Sequence, residues 1–255
     1  MILAIDIGNS NIIIGTIENG EIDSIVRIHT AQQETAAEYG VKMRQLMDFC
    51  GIDDKKLEGA IISSVVPPVT GAIRDAVRHL TGLECMVVGP GMKTGMNVRI
   101  DDPSSLAGDL VVGSVAAIAC YGTPAIVLNL GTATTMTVVD EKGTYRGGTI
   151  MPGVTLGLQA LSSGTSLLPD ISVTAPKKAI ATNTVDAMRS GAVFGTAAMI
   201  DGMADRMEQE LGRACRVIAT GDLAEEVTRH CRREIICDEH LILKGLWILY
   251  KKNMK

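Results

Sequence analysis

Asp6 stands between two isoleucines, in Ile5-Asp6-Ile7, directly before the polar turn Gly8-Asn9-Ser10-Asn11. Burying a carboxylate in so apolar a strand is costly unless something compensates its charge. A divalent cation, held directly or through water, would do so. Gly8 lets backbone come close to a ligand, and the N–H groups of a tight turn, helped by the side chains of Asn9, Ser10 and Asn11, can donate to phosphate oxygens. Asp6 could equally cap its own turn and nothing more. A second copy favours the phosphate reading. Leu128-Asn129-Leu130-Gly131-Thr132-Ala133-Thr134 repeats the pattern 123 positions on, with Asn129 for Asp6, Gly131 for Gly8 and Gly143 for Gly20. Gly131, Thr132 and Thr134 are therefore candidate phosphate ligands of a second turn. Asn129 brings a carbonyl oxygen to the place of Asp6, without the charge. The commoner phosphate loops are missing: Gly89-Pro90-Gly91-Met92-Lys93-Thr94-Gly95 lacks Gly-Lys-Ser/Thr, and no Gly-x-Gly-x-x-Gly opens a helix.

A further carboxylate, Asp109, is the last charge before the uncharged run from Leu110 to Val139. It could accept a proton from a substrate hydroxyl. As a plain structural residue it would be an early-helix acid, because Asp102 followed by Pro103 predicts a helix start. The uncharged run is long enough on paper to cross a bilayer. Gly122-Thr123-Pro124, Asn129, Gly131 and the threonines that follow punctuate it too heavily for a spanning helix. It reads as a buried helix over about 105–121, a turn and two buried strands.

The elements that must hold these residues follow from pattern. Ile2 to Gly8 and Ile12 to Ile17 read as strands, and Glu18-Asn19-Gly20 as a hairpin turn, since Asn-Gly tolerates positive φ. A helix is expected over 35–50, a strand over 59–65, a helix over 69–80 after Pro67-Pro68, and a strand over 85–88. Both copies of the repeat run strand, glycine turn, strand, acidic turn ending in Gly, strand. An offset of about half the chain means two similar lobes and not a solenoid. The fold class is α/β.

Composition narrows the function classes. The 255 residues are 46% hydrophobic and 21% charged with a net charge of −5, which argues against a binder of nucleic-acid backbones. Aromatics at 3% argue against base-stacking platforms. No charged, apolar leader opens the sequence, and Cys50, Cys85, Cys120, Cys215, Cys231 and Cys237 read as thiols of a reducing compartment. A cytoplasmic protein with no membrane and no nucleic-acid partner is expected. His230, Cys231, Cys237 and His240 match no common zinc spacing. Met188, Met199, Met203 and Met207 recur at helical spacing as flexible core filler.

Asp6-x-Gly8-Asn9-Ser10-Asn11 resembles the first phosphate motif of the type III pantothenate kinases, members of the actin-like superfamily that includes acetate and sugar kinases. Gly131-Thr132-Ala133-Thr134-Thr135 is similar to their second. Ile62-Ser63-Ser64-Val65-Val66-Pro67, Gly147 to Gly153, Asn183-Thr184-Val185 and Leu241-x-Leu243-x-Gly245-Leu246 resemble the family at corresponding places. The resemblance implies duplicated actin-like, ribonuclease H-like lobes, residues 1–120 and 121–255, with a central cleft and with the final helix returning to the first lobe. It implies a homodimer that uses ATP, Mg2+ and a monovalent cation, K+ or NH4+, to phosphorylate the primary hydroxyl of pantothenate, the first step of coenzyme A biosynthesis. Asp109 would be the general base and Asp6 the Mg2+ ligand, with Asn129 at a weakened monovalent-cation position. Ile100, Ala107, Gly108, Leu110 and Thr184 would line the substrate.

Several of these depart from the family pattern. Ile100 replaces an aromatic, Asp102 an asparagine, and Leu110 an arginine; Ala107-Gly108 inverts Gly-Ala; Asn129 replaces an aspartate; Thr220-Gly221-Asp222 replaces Thr-Gly-Gly. Losing a guanidinium that pairs with an anionic substrate costs about 1.5–3 kcal/mol. Two alternatives therefore stand beside the pantothenate kinase: a kinase of the same fold acting on another hydroxyl compound, and a nucleotide-binding regulator with little turnover.

Overall fold

The computed structural model describes residues 1–254. Contacts divide the chain into two compact units. Unit 1 holds Met1–Gly95, Asp102–Ala116 and the residues from Leu241 onward, and unit 2 holds Met96–Asp101 and Ala117–His240.

Unit 1 opens with the expected meander of β1 (Ile2–Ile7), β2 (Asn11–Glu18) and β3 (Glu21–His29). Asn19 and Gly20 close β2 onto β3 at φ of 53° and 92°, the positive values that tight hairpins need. α1 (Ala36–Cys50) begins at a reciprocal cap between Thr35 and Glu38 and ends on Gly51 in the left-handed conformation. β4 (Gly59–Ser64), α2 (Pro67–Thr81) and β5 (Cys85–Val87) complete a sheet of order β3-β2-β1-β4-β5, with β4 parallel to β1 and to β5. α2 starts at Pro67, ahead of the expected position, because proline in the first turn gives up only an N–H that has no partner there.

Alternation along β1 decides what each face meets. Leu3, Ile5 and Ile7 pack with Tyr39 and Met43 of α1 and Ile73 and Val77 of α2. Ile2, Ala4 and Asp6 take the opposite face. α3 (Gly108–Tyr121), whose residues through Ala116 belong to unit 1, and α8 (Leu241–Asn253) complete this unit, with α8 packed on β1 and β4. Small residues bring α8 close. A Cβ at Gly59 would lie 2.0 Å from Tyr250 Oη, and one at Gly15 would lie 2.9 Å from Leu243 Cδ1.

α3 begins later than the sequence suggests. Asp102 does cap the chain, accepting from Ser104 N–H at 3.0 Å, but it nucleates only a single 3-10 turn over Pro103–Ser105. Leu106 is extended, at φ −69° and ψ 118°, and the α-helix starts at Gly108. The uncharged run otherwise falls as expected into α3, a turn and two strands, and no helix among the described residues is long and apolar enough to cross a membrane.

Unit 2 contains β6 (Asn97–Val98), β7 (Ala125–Leu130), β8 (Ala133–Val139), β9 (Thr144–Pro152), α4 (Val154–Gly164), α5 (Thr184–Ser190), α6 (Thr196–Leu211), β10 (Arg216–Thr220), α7 (Ala224–Thr228) and β11 (Ile236–Cys237). A π-turn over Gly191–Gly195 joins α5 to α6. The sheet order is β11-β10-β7-β8-β9-β6. Read from β9 to β11, it repeats the topology of unit 1, meander and parallel strands included, with β6 added at the β9 edge. Leu128, Leu130 and Met136 pack with Val154 of α4, Ile200, Ala204 and Met207 of α6 and Val227 of α7.

The repeat does not hold its register through the first turn. Ile7 pairs with Ile12, whereas Leu130 pairs with Thr134, so the loop of Gly131 and Thr132 is one residue shorter than that of Gly8, Asn9 and Ser10. Gly8 N–H accordingly reaches Asn11 O, at 2.9 Å, while Gly131 N–H reaches Ala133 O, at 3.2 Å. The β8–β9 turn is longer than Asn19-Gly20, which brings Gly143 back to its offset from Gly20.

Candidate active site

In unit 1 the meander carries Asp6 to the end of β1, one residue short of the first glycine turn. Thr30, just beyond β3, clasps that turn: its Oγ1 donates to Gly8 O at 2.6 Å and its N–H to Ser10 O at 3.0 Å. The buried Tyr39 hydroxyl in turn accepts from Ala31 N–H and donates to Ala31 O. Gly8 leaves little room for a side chain, since a Cβ would lie 3.1 Å from Asn11 O. Asn9 and Ser10 are exposed at the tip.

Parallel pairing places Ser63 of β4 in register with Asp6. A Cβ at Gly108 would lie 3.7 Å from Ser63 Oγ, which brings the start of α3, and Asp109 with it, to the same corner. Asp109 Oδ1 is buried and has no hydrogen-bond partner. Asp6 keeps partial exposure at the residue level, yet its carboxyl is densely surrounded. That burial, and then the neighbouring Asp109 charge, push its pKa from an ordinary 3.8 up to about 7. Burial raises Asp109 as well, held back by the backbone N–H groups of Leu110 and of Asp109 itself. An Asp6 carboxyl whose ionised form is disfavoured by burial and by Asp109, together with the orphaned buried oxygen of Asp109, makes a place that favours a cation and a proton donor. Ala107, Gly108 and Leu110 are half-buried around Asp109.

In unit 2 the second turn is built more tightly. Gly153 N–H donates to Thr132 O at 3.1 Å, and a Cβ at Gly153 would lie 2.3 Å from that oxygen, so only glycine can seat the start of α4 there. Gly221, at φ 101°, passes as closely: its Cβ would lie 2.7 Å from Leu130 O and 2.8 Å from Asn129 Oδ1. Thr220 pairs in parallel register with Asn129, as Ser63 does with Asp6. Thr132 is exposed on the turn, whereas Thr134 is fully buried in β8 with Oγ1 unpaired.

The remaining candidates lie elsewhere in unit 2. Ile100 is half-buried after β6, where a Cβ at Gly147 would lie 3.9 Å from its Cγ2. Thr184 is exposed as the first residue of α5, and the cap is Asn183, which accepts from Asp186 N–H at 2.9 Å. Ser63, Thr30, Gly153 and Gly221 were not singled out as site residues. Ser63, Gly153 and Gly221 do fall within motifs that resemble the family, whereas Thr30 carries no signal beyond a hydroxyl after a strand.

The described residues hold no group of three or more His, Cys, Asp or Glu side chains able to cage a metal. Magnesium does not need one, as it is commonly held by one or two carboxylates together with substrate phosphates. Asp6 beside Asp109 fits that requirement, and the open glycine turns fit phosphate oxygens.

Two units of one topology, each with a glycine turn after its first strand, define the duplicated actin-like fold of ATPases and sugar kinases. A glucokinase of the ROK family from Streptomyces griseus, solved with glucose and AMPPNP, shares the fold at a TM-score of 0.51 and 13% identity, over 98% of each chain. A Campylobacter jejuni protein provisionally described as a Baf family transcriptional activator shares it at a TM-score of 0.62 and 18% identity, over 99% of this chain and 98% of that one. A model of the type III pantothenate kinase family matches residues 2–206. A type III pantothenate kinase of Halalkalibacterium halodurans is 39% identical over 254 residues, covering 100% of both chains. The chain belongs to the type III pantothenate kinase family.

Proposed function

We propose that this chain transfers the γ-phosphoryl group of ATP to the primary hydroxyl of pantothenate, giving 4′-phosphopantothenate at the start of coenzyme A biosynthesis. The observation that carries the reading is the buried, unpartnered Oδ1 of Asp109 beside Asp6. Phosphoryl transfer asks the protein mainly for positioning and charge neutralisation. Asp109 orients the acceptor hydroxyl and takes its proton as the new P–O bond forms and ADP leaves. Asp6 would hold Mg2+, which supplies charge neutralisation at the phosphates when bound. The backbone and polar groups of Gly8, Asn9, Ser10 and Asn11, and of Gly131 and Thr132, donate to phosphate oxygens, with Thr134 behind the second turn. Asn129 offers a carbonyl oxygen to K+ or NH4+. Ile100, Ala107, Gly108, Leu110 and Thr184 contact the acceptor.

The reaction belongs to the cytoplasm, a reading supported by six cysteines whose spacing forms no disulfide framework. The working form is a homodimer. Ile150, Leu156, Leu161, Leu167 and Ile180, all in unit 2, are large apolar side chains left exposed on the single chain, which supports it.

A second reading, another small alcohol as acceptor, is favoured by Leu110, an apolar side chain where the resemblance implies an arginine. Purified protein with Mg-ATP and K+, assayed for ADP release against pantothenate and a panel of polar alcohols, separates the two. Pantothenate-dependent turnover that falls by at least about 100-fold in Asp109→Asn is expected. Turnover on another alcohol alone would replace pantothenate by that compound. ATP binding with no turnover on any acceptor would make the chain a nucleotide-binding regulator.

A further inference from the structure

Ser63 is fully buried in β4, and its Oγ has no hydrogen-bond partner. An orphaned buried hydroxyl is destabilising, and the three residues before it, Ala60-Ile61-Ile62, are all apolar. Its surroundings suggest what offsets the cost. Ser63 is in parallel register with Asp6, so the two side chains share a face of the sheet. Its Oγ is near enough to the Asp6 carboxyl to favour the ionised form, though no hydrogen bond of good geometry forms in this conformation. A Cβ on Gly108, where α3 begins and Asp109 follows, would lie 3.7 Å from the same Oγ. A hydroxyl hydrogen rotates freely and can serve either state of its neighbour.

Unit 2 repeats the device independently. Thr220, also buried, stands in the same parallel register beside Asn129. The acid of one unit is an amide in the other, while the hydroxyl on the adjacent strand is present in both.

We propose that Ser63 is a positioning residue for phosphoryl transfer, its Oγ–H donating to the Asp6 carboxylate and fixing that carboxylate's orientation when Mg-nucleotide binds. The inference rests on the kinase reading. Its test is therefore a binding measurement that needs no turnover.

Mg2+ is titrated calorimetrically into the full chain saturated with a non-hydrolysable ATP analogue, for wild type, Ser63→Ala, Ser63→Cys and Ser63→Thr, with kcat and the KM for pantothenate measured in parallel. Cysteine nearly keeps the volume but donates weakly, so it separates the hydroxyl from packing. Ser63→Ala and Ser63→Cys are expected to weaken Mg2+ binding about tenfold, the scale of one lost hydrogen bond to a charged group. They also lower kcat while the KM for pantothenate stays within about twofold, since the acceptor is not touched. Ser63→Thr, which keeps the hydroxyl, retains most of the affinity. Unchanged Mg2+ affinity in both Ser63→Ala and Ser63→Cys overturns the proposal, as does an equal loss in all three variants, which would mark packing alone. If wild type binds Mg-nucleotide but turns over no pantothenate, the acceptor assignment fails and the Ser63 comparison still stands.

Discussion

At Asn129 the second turn carries an amide where the first carries the Asp6 carboxylate, and its Oδ1 lies close against Gly221. An aspartate of nearly the same shape would add one negative charge without new volume. Asn129→Asp is therefore expected to lower the K+ concentration for half-maximal activity by about tenfold, a charge-assisted contact replacing a neutral one. Assays across a K+ series read this directly, and an unchanged midpoint together with an unchanged rate would remove position 129 from the cation site. Asp6 could be singled out from the sequence because its isoleucine neighbours make an unpaired charge conspicuous. Ser63 could not, because its meaning depends on β4 lying parallel to β1 in one particular register, a fact no local pattern carries. Asp109 stands out through its position and the family resemblance together. Its orphaned oxygen, which gives the chemistry, is visible only once α3 is in place.

Between β8 and β9 the turn is tied by one side chain. Asp140 accepts from Lys142 N–H and Thr144 N–H, each at 3.0 Å, and from Arg146 Nη1 at 3.2 Å. Burial raises its pKa, but the bonds from Thr144, Arg146 and Lys142 outweigh that and leave the carboxyl below its ordinary 3.8. A depressed acid stabilises the fold above the unfolded value and loses that contribution as pH falls through the lower folded one. Asp140→Ala is expected to cost about 1–2 kcal/mol at neutral pH, the Arg146 charge being half-exposed and screened. The gap from wild type should close below about pH 4, as read by denaturant melts across pH. Where α8 passes α3, a Cβ on Gly245 would lie 2.3 Å from Val112 O. Gly245→Val should lower stability by about 1–3 kcal/mol, with a matching drop in Tm, by forcing the helices apart. An element set by local chemistry, such as the Asn19-Gly20 turn, is legible in the sequence. The late start of α3 was not, because Asp102 and Pro103 are sound helix signals that here serve only a single 3-10 turn. The one-residue difference between the two glycine turns was also hidden, since the longer β8–β9 turn restores the offset seen in the sequence.

Across the whole molecule, duplication was visible as an offset of 123, while the assignment of α8 to unit 1 depends on contacts far apart in sequence. The exposed Leu167 and Ile180 bear on assembly, and static light scattering at micromolar concentration is expected to give twice the chain mass. A monomer mass would contradict the homodimer and leave those side chains without a partner. Leu167→Ser with Ile180→Ser should shift the balance toward monomer if they lie in the contact. The place of α8 has a further consequence for how the protein is made. Apart from Met96–Asp101, unit 2 is one stretch from Ala117 to His240, whereas the first sheet to leave the ribosome keeps bare the face of Ile2, Ala4, Gly15 and Gly59 until residues 241–253 emerge. The half synthesised first is thus the half finished last. During translation the nascent chain carries an uncovered apolar sheet for as long as unit 2 takes to be made, and a chaperone has its opportunity there.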